Sequence, residues 1–365
     1  FGLYKELVET NTTLSSGSCT QASAQIAARL KAAGYADKDV TLFSVPEHPK
    51  DGGIVAVLPG RDANLKPMLL LGHLDVVEAK REDWVRDPFT LIEEGGYLYG
   101  RGTVDDKAMA AVWADTMIRL KQGGPAPKRT IKLALTCGEE TTFAWNGAQW
   151  LAKNRPELIA AAFALNEGGG GRLDDGGKRE VLALQVGEKA AQNYTFLATN
   201  PGGHSSQPVP ANAIYELAGA VRAVQGYEFP AKFTDTTRAF FRSAGAIAPA
   251  PMKDAIARLL ADPQDAAADR IVSADKTYHS TLRTTCVATL LSAGHAENAL
   301  PQRATANVNC RIFPGESVDG TLATLQRLAG PKVKVTANQP VRPTAIPPAL
   351  DPAIEEHAVG GTGRH

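Results

Sequence analysis

MLLLGHLDVV, residues 68–77, opens on four consecutive apolar side chains, Met68 to Leu71, and turns polar at Gly72-His73-Leu74-Asp75. An unbroken apolar run of this length reads as a strand buried on both faces, the kind found in parallel sheets. Open α/β sheets place their chemistry just beyond such strand ends. The imidazole of His73, the carboxylate of Asp75 and the Asp105-Asp106 pair of GYLYGRGTVDDK, residues 96–107, are the ligand types that bind zinc and related divalent ions. Two residues apart, His73 and Asp75 share one side of an extended chain. Either one ligates while the other orients it, or both touch metal.

A lone His-x-Asp at a strand end is ordinarily a hydrogen-bonded pair without metal. The surrounding sequence changes that reading. Asp105 and Asp106 follow a Gly100-Arg101-Gly102 turn and open an amphipathic helix, with Met109, Val112, Trp113, Met117 and Leu120 as its expected apolar face. Acidic residues at a helix start also answer the helix dipole. IKLALTCGEE, residues 131–140, puts a second buried strand directly before Gly138-Glu139-Glu140, and AAFALNEGGGG, residues 161–171, puts a third apolar run before Asn166-Glu167. Core packing alone does not end three strands on His or carboxylates. A helix over 21–34, strands over 40–45 and 53–58, a hairpin over 90–99 and a helix near 149–154 fill the rest of this half. Strands alternating with helices make a mixed, mostly parallel sheet covered by helices on both faces.

Beyond residue 191 the pattern changes. A strand over 193–199 precedes a helix over 212–224 with Ile214, Leu217, Val221 and Val224 inward, and a second strand is expected over 281–291. Residues 303–313 alternate with Ala304, Ala306, Val308, Cys310 and Ile312 on one face, followed by a helix carrying Leu322, Leu325 and Leu328 and a strand over 333–335. The order βαββαβ is the ferredoxin-like arrangement, with a largely helical insertion between residues 225 and 278. The expected organisation is a metal-binding domain over 1–190, an inserted domain over 191–338 and a return to the first domain over 339–365.

Composition narrows the function classes. Lys plus Arg and Asp plus Glu are equal at 39 each, so nothing in the charge favours nucleic acid or a membrane surface. No apolar run has the length of a transmembrane helix. Gly168 to Gly171 lacks the Lys-Ser/Thr of a nucleotide loop and reads as a turn. The four cysteines, Cys19, Cys137, Cys286 and Cys310, are far apart without CxxC spacing, so they read as buried small apolar side chains and not as a disulfide framework. The chain starts at Phe1, which fits a removed leader or absent terminal residues and leaves cytoplasmic and exported locations both open.

GHLDVV, GRGTVDDK, the Glu139-Glu140 pair, NEGG, GGHSS and GHAENALPQ…CRIFPGE together resemble the family of co-catalytic zinc hydrolases that includes aminoacylase, carboxypeptidase G, carnosinase-type dipeptidases and succinyl-diaminopimelate desuccinylase. The resemblance covers nearly the whole chain in order. It implies two divalent ions, zinc first and cobalt or manganese as alternatives, with His73 a ligand of one, Asp105 bridging both, and Glu140 and Glu167 on different ions. It implies Asp75 as the residue that orients His73, Glu139 as the general base, and Asp106 as a helix-start residue. His204 resembles the family's lid histidine, which stabilises the oxyanion, often across a homodimer, and Asn298 and Arg311 resemble the positions that hold the substrate's carbonyl and carboxylate. The implied substrate is a small peptide or N-acyl amino acid. The family's last histidine ligand comes from a final segment; here His357 and His365 are the imidazoles after Leu350, and neither stands in the family's context. The alternative is a catalytically impaired metal- or peptide-binding relative.

Overall fold

The computed structural model describes residues 1–141, 145–341, 346 and 350. The chain divides into two compact units, residues 1–168 and 169–365.

The first unit runs α1 (Gly2–Glu9), α2 (Cys19–Ala32), β1 (Val40–Val45), β2 (His48–Leu58), β3 (Met68–His73), β4 (Ile92–Glu94), β5 (Tyr97–Tyr99), α3 (Lys107–Gln122), β6 (Ile131–Thr136), α4 (Gly147–Asn154), α5 (Pro156–Ile159) and β7 (Phe163–Leu165). Its five-stranded sheet has the order β1-β2-β6-β3-β7. Pairing is parallel on both sides of β3 and antiparallel across β1-β2-β6. Alternation along the strands sorts side chains between two layers. Ile54, Ala56, Leu58, Ile131, Leu133 and Leu135 pack with α1, α2 and α3 on one face. Val55, Leu69 and Ala134 pack with Phe43 and Leu151 on the other, under α4 and α5. Helices therefore cover both faces, as expected.

The buried stripe of α3 differs in part from expectation: Met117 is buried as expected, but so are Ala110, Ala111 and Ala114, whereas Val112 and Leu120 are exposed. Ala110, Ala114 and Met117, at i, i+4 and i+7, form the stripe that packs against the core with Trp113 beside it, so only part of the expected apolar face is the buried one.

The second unit runs β8 (Gly170–Leu173), β9 (Arg179–Ala183), β10 (Ala190–Thr199), β11 (Gly203–His204), α6 (Ala213–Gln225), α7 (Asp235–Ile247), α8 (Met252–Ala261), α9 (Ala266–Val272), α10 (Lys276–Leu282), β12 (Thr285–Ala293), β13 (Ala299–Leu300), β14 (Arg303–Ile312), α11 (Val318–Ala329) and β15 (Val333–Ala337). Its antiparallel sheet has the order β12-β14-β10-β15, with α6 and α11 on the face that carries Tyr194, Phe196, Ala306, Val308 and Ile312. This is the βαββαβ arrangement, interrupted by α7 to α10. In α6 the inward residues are Ala213, Leu217, Ala220 and Val224, and Ile214 is exposed. The strand expected from residue 281 starts at Thr285, because Asp275 accepts hydrogen bonds from the Thr277 and Tyr278 N–H groups and launches α10 across that stretch.

The cysteines overturn their reading. Cys19 is bonded to Cys137, and Cys286 to Cys310. Separations of 118 and 24 residues match no spacing rule. Cys286 and Cys310 face each other in the β12–β14 register, while Cys19 opens α2 and Cys137 follows β6 in the same core. Tertiary pairing created both bonds. Among the described residues, no helix is long and apolar enough to cross a membrane.

Candidate metal centre

Parallel pairing brings three strand ends together. β3 and β6 run in register from Met68↔Ile131 to His73↔Thr136, and the Leu74 N–H extends the ladder by donating to the Thr136 carbonyl at 2.8 Å. His73-Leu74-Asp75 and Gly138-Glu139-Glu140 thus leave the sheet side by side. β7 flanks β3 on its other edge, with Leu70↔Leu165, and Glu167 follows two residues later. Asp105 and Asp106 arrive at the start of α3.

His73 is buried, and its ring is fixed from both ends. Nδ1 lies 3.0 Å from the Asp75 carbonyl, a group that only accepts, so the proton of a neutral ring belongs on Nδ1. Nε2 then carries the free lone pair, 2.9 Å from Asp105 Oδ1 and 3.4 Å from Glu167 Oε2. One ligand atom each from His73, Asp105 and Glu167 all lie within 4.8 Å of one another, with the histidine buried and both acids exposed. Glu140 is not part of that group. The Cys19, Asp75 and Cys137 atoms also cluster, but their sulfurs are spent in the disulfide.

Asp75 joins two of the strand ends. Its Oδ2 accepts the Glu140 N–H at 2.9 Å, and its Oδ1 lies 3.5 Å from His73 Nδ1. One buried carboxylate therefore sets both the ring and the backbone of the glutamate pair. Asp106 starts α3 without capping it through its side chain; Oδ2 instead accepts the His73 N–H at 3.1 Å. That approach needs a glycine at 72, where a Cβ would come within 2.9 Å of Asp106 Oδ2. Gly138 is required on two counts: its φ is +91°, and a Cβ would meet the Trp145 carbonyl at 1.9 Å. The Asp106 contact, and the second attachment of Asp75 to Glu140, had no signal in the sequence, since both depend on backbone N–H groups.

The electrostatics ask for a cation. Burial works against a charge on His73, but Asp75, then Asp106 and Glu167, outweigh it and push its pKa up to about 10. Burial likewise opposes ionised Asp75, yet the nearby His73 ring and the hydrogen bond from the Glu140 N–H bring it below its ordinary value. Asp106 is pushed up to about 7, chiefly by burial. Glu139 and Glu140 are both raised, first by burial and then by neighbouring carboxylates, Glu167 for the former and Asp105 for the latter. No lysine or arginine ion-pairs with Asp105, Glu139, Glu140 or Glu167 among the described residues. A field that would hold an extra proton is one that a divalent cation satisfies, and imidazole with carboxylates is a suitable donor set. The residues fit a metal. His357 and His365 lie outside the described residues.

In the second unit, β11 pairs with β13 so that His204 faces Ala299, and the Ser205 N–H donates to the Asn298 carbonyl at 2.9 Å. Two of the three expected substrate-binding residues are thus neighbours. His204 Nδ1 accepts the Ser206 N–H at 3.2 Å, which assigns the proton of a neutral ring to Nε2. His204 and Asn298 are exposed, as is Arg311 on β14, opposite Ala191 and Thr285.

A model of Peptidase family M20/M25/M40 matches residues 69–359. Human N-fatty-acyl-amino acid synthase/hydrolase PM20D1 is 30% identical over 81% of this chain and 59% of its own length. A probable carboxypeptidase S-like 2 of Dictyostelium discoideum is 31% identical over 74% of this chain and 52% of its own length, so the chain spans little more than half of these curated relatives. The M20 family metallo-carboxypeptidase Sso-CP2 of Sulfolobus solfataricus shares the fold, with a TM-score of 0.64 at 19% identity over 92% of this chain and 76% of that one. A match that begins inside β3 and continues through both units is to the whole arrangement and not to one motif, and it places this chain in peptidase family M20/M25/M40.

Proposed function

We propose that this chain hydrolyses an amide bond next to a free carboxylate, in a small peptide or an N-acyl amino acid, with the help of two divalent ions. The observation that carries the reading is the convergence of His73 Nε2 with Asp105 and Glu167 at the ends of three strands, with the Glu139-Glu140 backbone tied to Asp75 beside them. His73, Asp105 and Glu167 would hold one ion, and Asp105 with Glu140 would hold the other. Zinc, or cobalt or manganese in its place, supplies Lewis acidity that makes water nucleophilic at neutral pH and polarises a carbonyl. Asp75 keeps the His73 proton on Nδ1 and the lone pair on Nε2. Glu139 takes the proton of the attacking water and passes it to the leaving amine, the work of a carboxylate that is near the ions but not spent on them. A protein that only binds would have no use for such a group.

His204, with its Nε2 proton free to donate, is suited to an oxyanion. Asn298 would hold the scissile carbonyl, and the planar fork of Arg311 suits the substrate carboxylate. A homodimer through the second unit is consistent with β12, an edge strand that exposes Val287, Leu290 and Leu291. Pairing of all four cysteines favours an oxidising, exported location over the cytoplasm. The relatives' names, a fatty-acyl-amino acid hydrolase and a carboxypeptidase, agree with this substrate class.

Glu139→Gln tests the assignment. Turnover of a panel of dipeptides and N-acyl amino acids should fall by at least about 10²-fold, the lower bound for losing general acid–base assistance, with metal content unchanged. A variant that turns over at the wild-type rate sinks the role given to Glu139.

A further inference from the structure

A small cavity of about 10 Å³ in the first unit is lined by Thr12, Asp75, Cys137, Thr141 and Trp145, among others. Three side-chain oxygens on its wall, Thr12 Oγ1, Asp75 Oδ1 and Thr141 Oγ1, are buried without a hydrogen-bond partner among the described residues. Thr12 and Asp75 are each 2% exposed. Buried polar atoms are nearly always paired, so three orphans on one cavity mark an occupant. The volume is about that of a single water, and the groups supply what one needs: two hydroxyls to donate to it and a carboxylate oxygen to accept from it.

We propose that this cavity holds one structural water that anchors the Asp75 carboxylate, which makes Thr12 and Thr141 positioning residues for His73. The Glu140 N–H already holds Asp75 Oδ2, and the water holds Oδ1, so neither oxygen is free to swing away from the ring. Thr12 is itself fixed by its backbone. Its carbonyl accepts the Val76 N–H at 3.3 Å, and two residues earlier the Thr10 carbonyl accepts from the buried Lys107 ammonium at 2.7 Å. The N-terminal segment is thereby tied both to the end of β3 and to the start of α3. The consequence for His73 rests on the metal-hydrolase reading; the water itself does not.

Two measurements test the inference. High-resolution diffraction should show a water peak within hydrogen-bond distance of all three oxygens. An empty cavity, or a monovalent cation there, revealed by anomalous signal after rubidium exchange, overturns it. Zinc affinity by chelator competition should fall roughly 10-fold in Thr12→Val, which keeps the shape and removes the hydroxyl, and stay within about 2-fold in Thr12→Ser, which keeps the hydroxyl. Equal affinity in Thr12→Val and wild type, or equal losses in both variants, overturns it as well. Should Thr12→Val fail to fold, Thr141→Val removes the second donor and gives the same reading. If the wild type hydrolyses nothing on the panel, the function proposed above fails while the water and the zinc affinities are still measured.

Discussion

Asp75→Asn perturbs the geometry of the centre with the least change in shape. The amide nitrogen must occupy one of two oxygen positions. At Oδ2 it would set a donor against the Glu140 N–H and forfeit a charge-assisted bond of 2.9 Å, the class worth about 1.5–3 kcal/mol. At Oδ1 it would set a donor against the His73 Nδ1 proton, now 3.5 Å away. In both positions the ring loses the carboxylate that keeps Nε2 basic. Partners of this kind typically carry 10–100-fold in metal affinity, or about 1.4–2.7 kcal/mol. Zinc affinity measured by chelator competition should weaken by that factor, with kcat falling alongside it and circular dichroism unchanged. A folded Asp75→Asn protein whose affinity lies within about 2-fold of wild type would refute the role given to Asp75.

Gly72→Ala drives a methyl to 2.9 Å from Asp106 Oδ2 and 3.2 Å from the Leu135 side chain, so the bond to the His73 N–H must break or stretch. A buried donor left unpaired costs about 1–3 kcal/mol, which a lowered urea midpoint would register together with weaker metal binding. An unchanged midpoint would show that the strand end yields without cost. Arg311→Ala should raise KM for substrates with a free carboxylate and leave amidated analogues as they were; equal effects on both would remove Arg311 from carboxylate binding.

Much of the first unit was legible because its signals are local. Apolar runs before GHLD, GEE and NE gave three of the five strands and, with them, the side-by-side exits that gather His73, Glu139 and Glu167. In the second unit the alternation of Ala304, Ala306, Val308, Cys310 and Ile312 matches the buried face of β14 residue for residue. What was hidden depends on partners distant in sequence. Nothing local tells Cys19 that Cys137 will stand opposite, or assigns the Asp106 carboxylate to the His73 N–H and not to its own helix. Two-residue strands such as β11 and β13 are too short to carry a period, so the pairing that brings His204 to Asn298 could not be read. Alanine stripes mislead for a related reason: α3 packs through Ala110, Ala111 and Ala114 as well as the expected Met117, while the bulkier Val112 and Leu120 are exposed.

The most direct test is the metal content per chain, by elemental mass spectrometry, of protein purified without chelator. Two zinc or related ions per chain is the predicted result, with His73→Ala losing at least one of them. A wild-type protein that holds no divalent metal, and takes up none when it is supplied, would contradict the assignment of His73, Asp105, Glu140 and Glu167 as ligands.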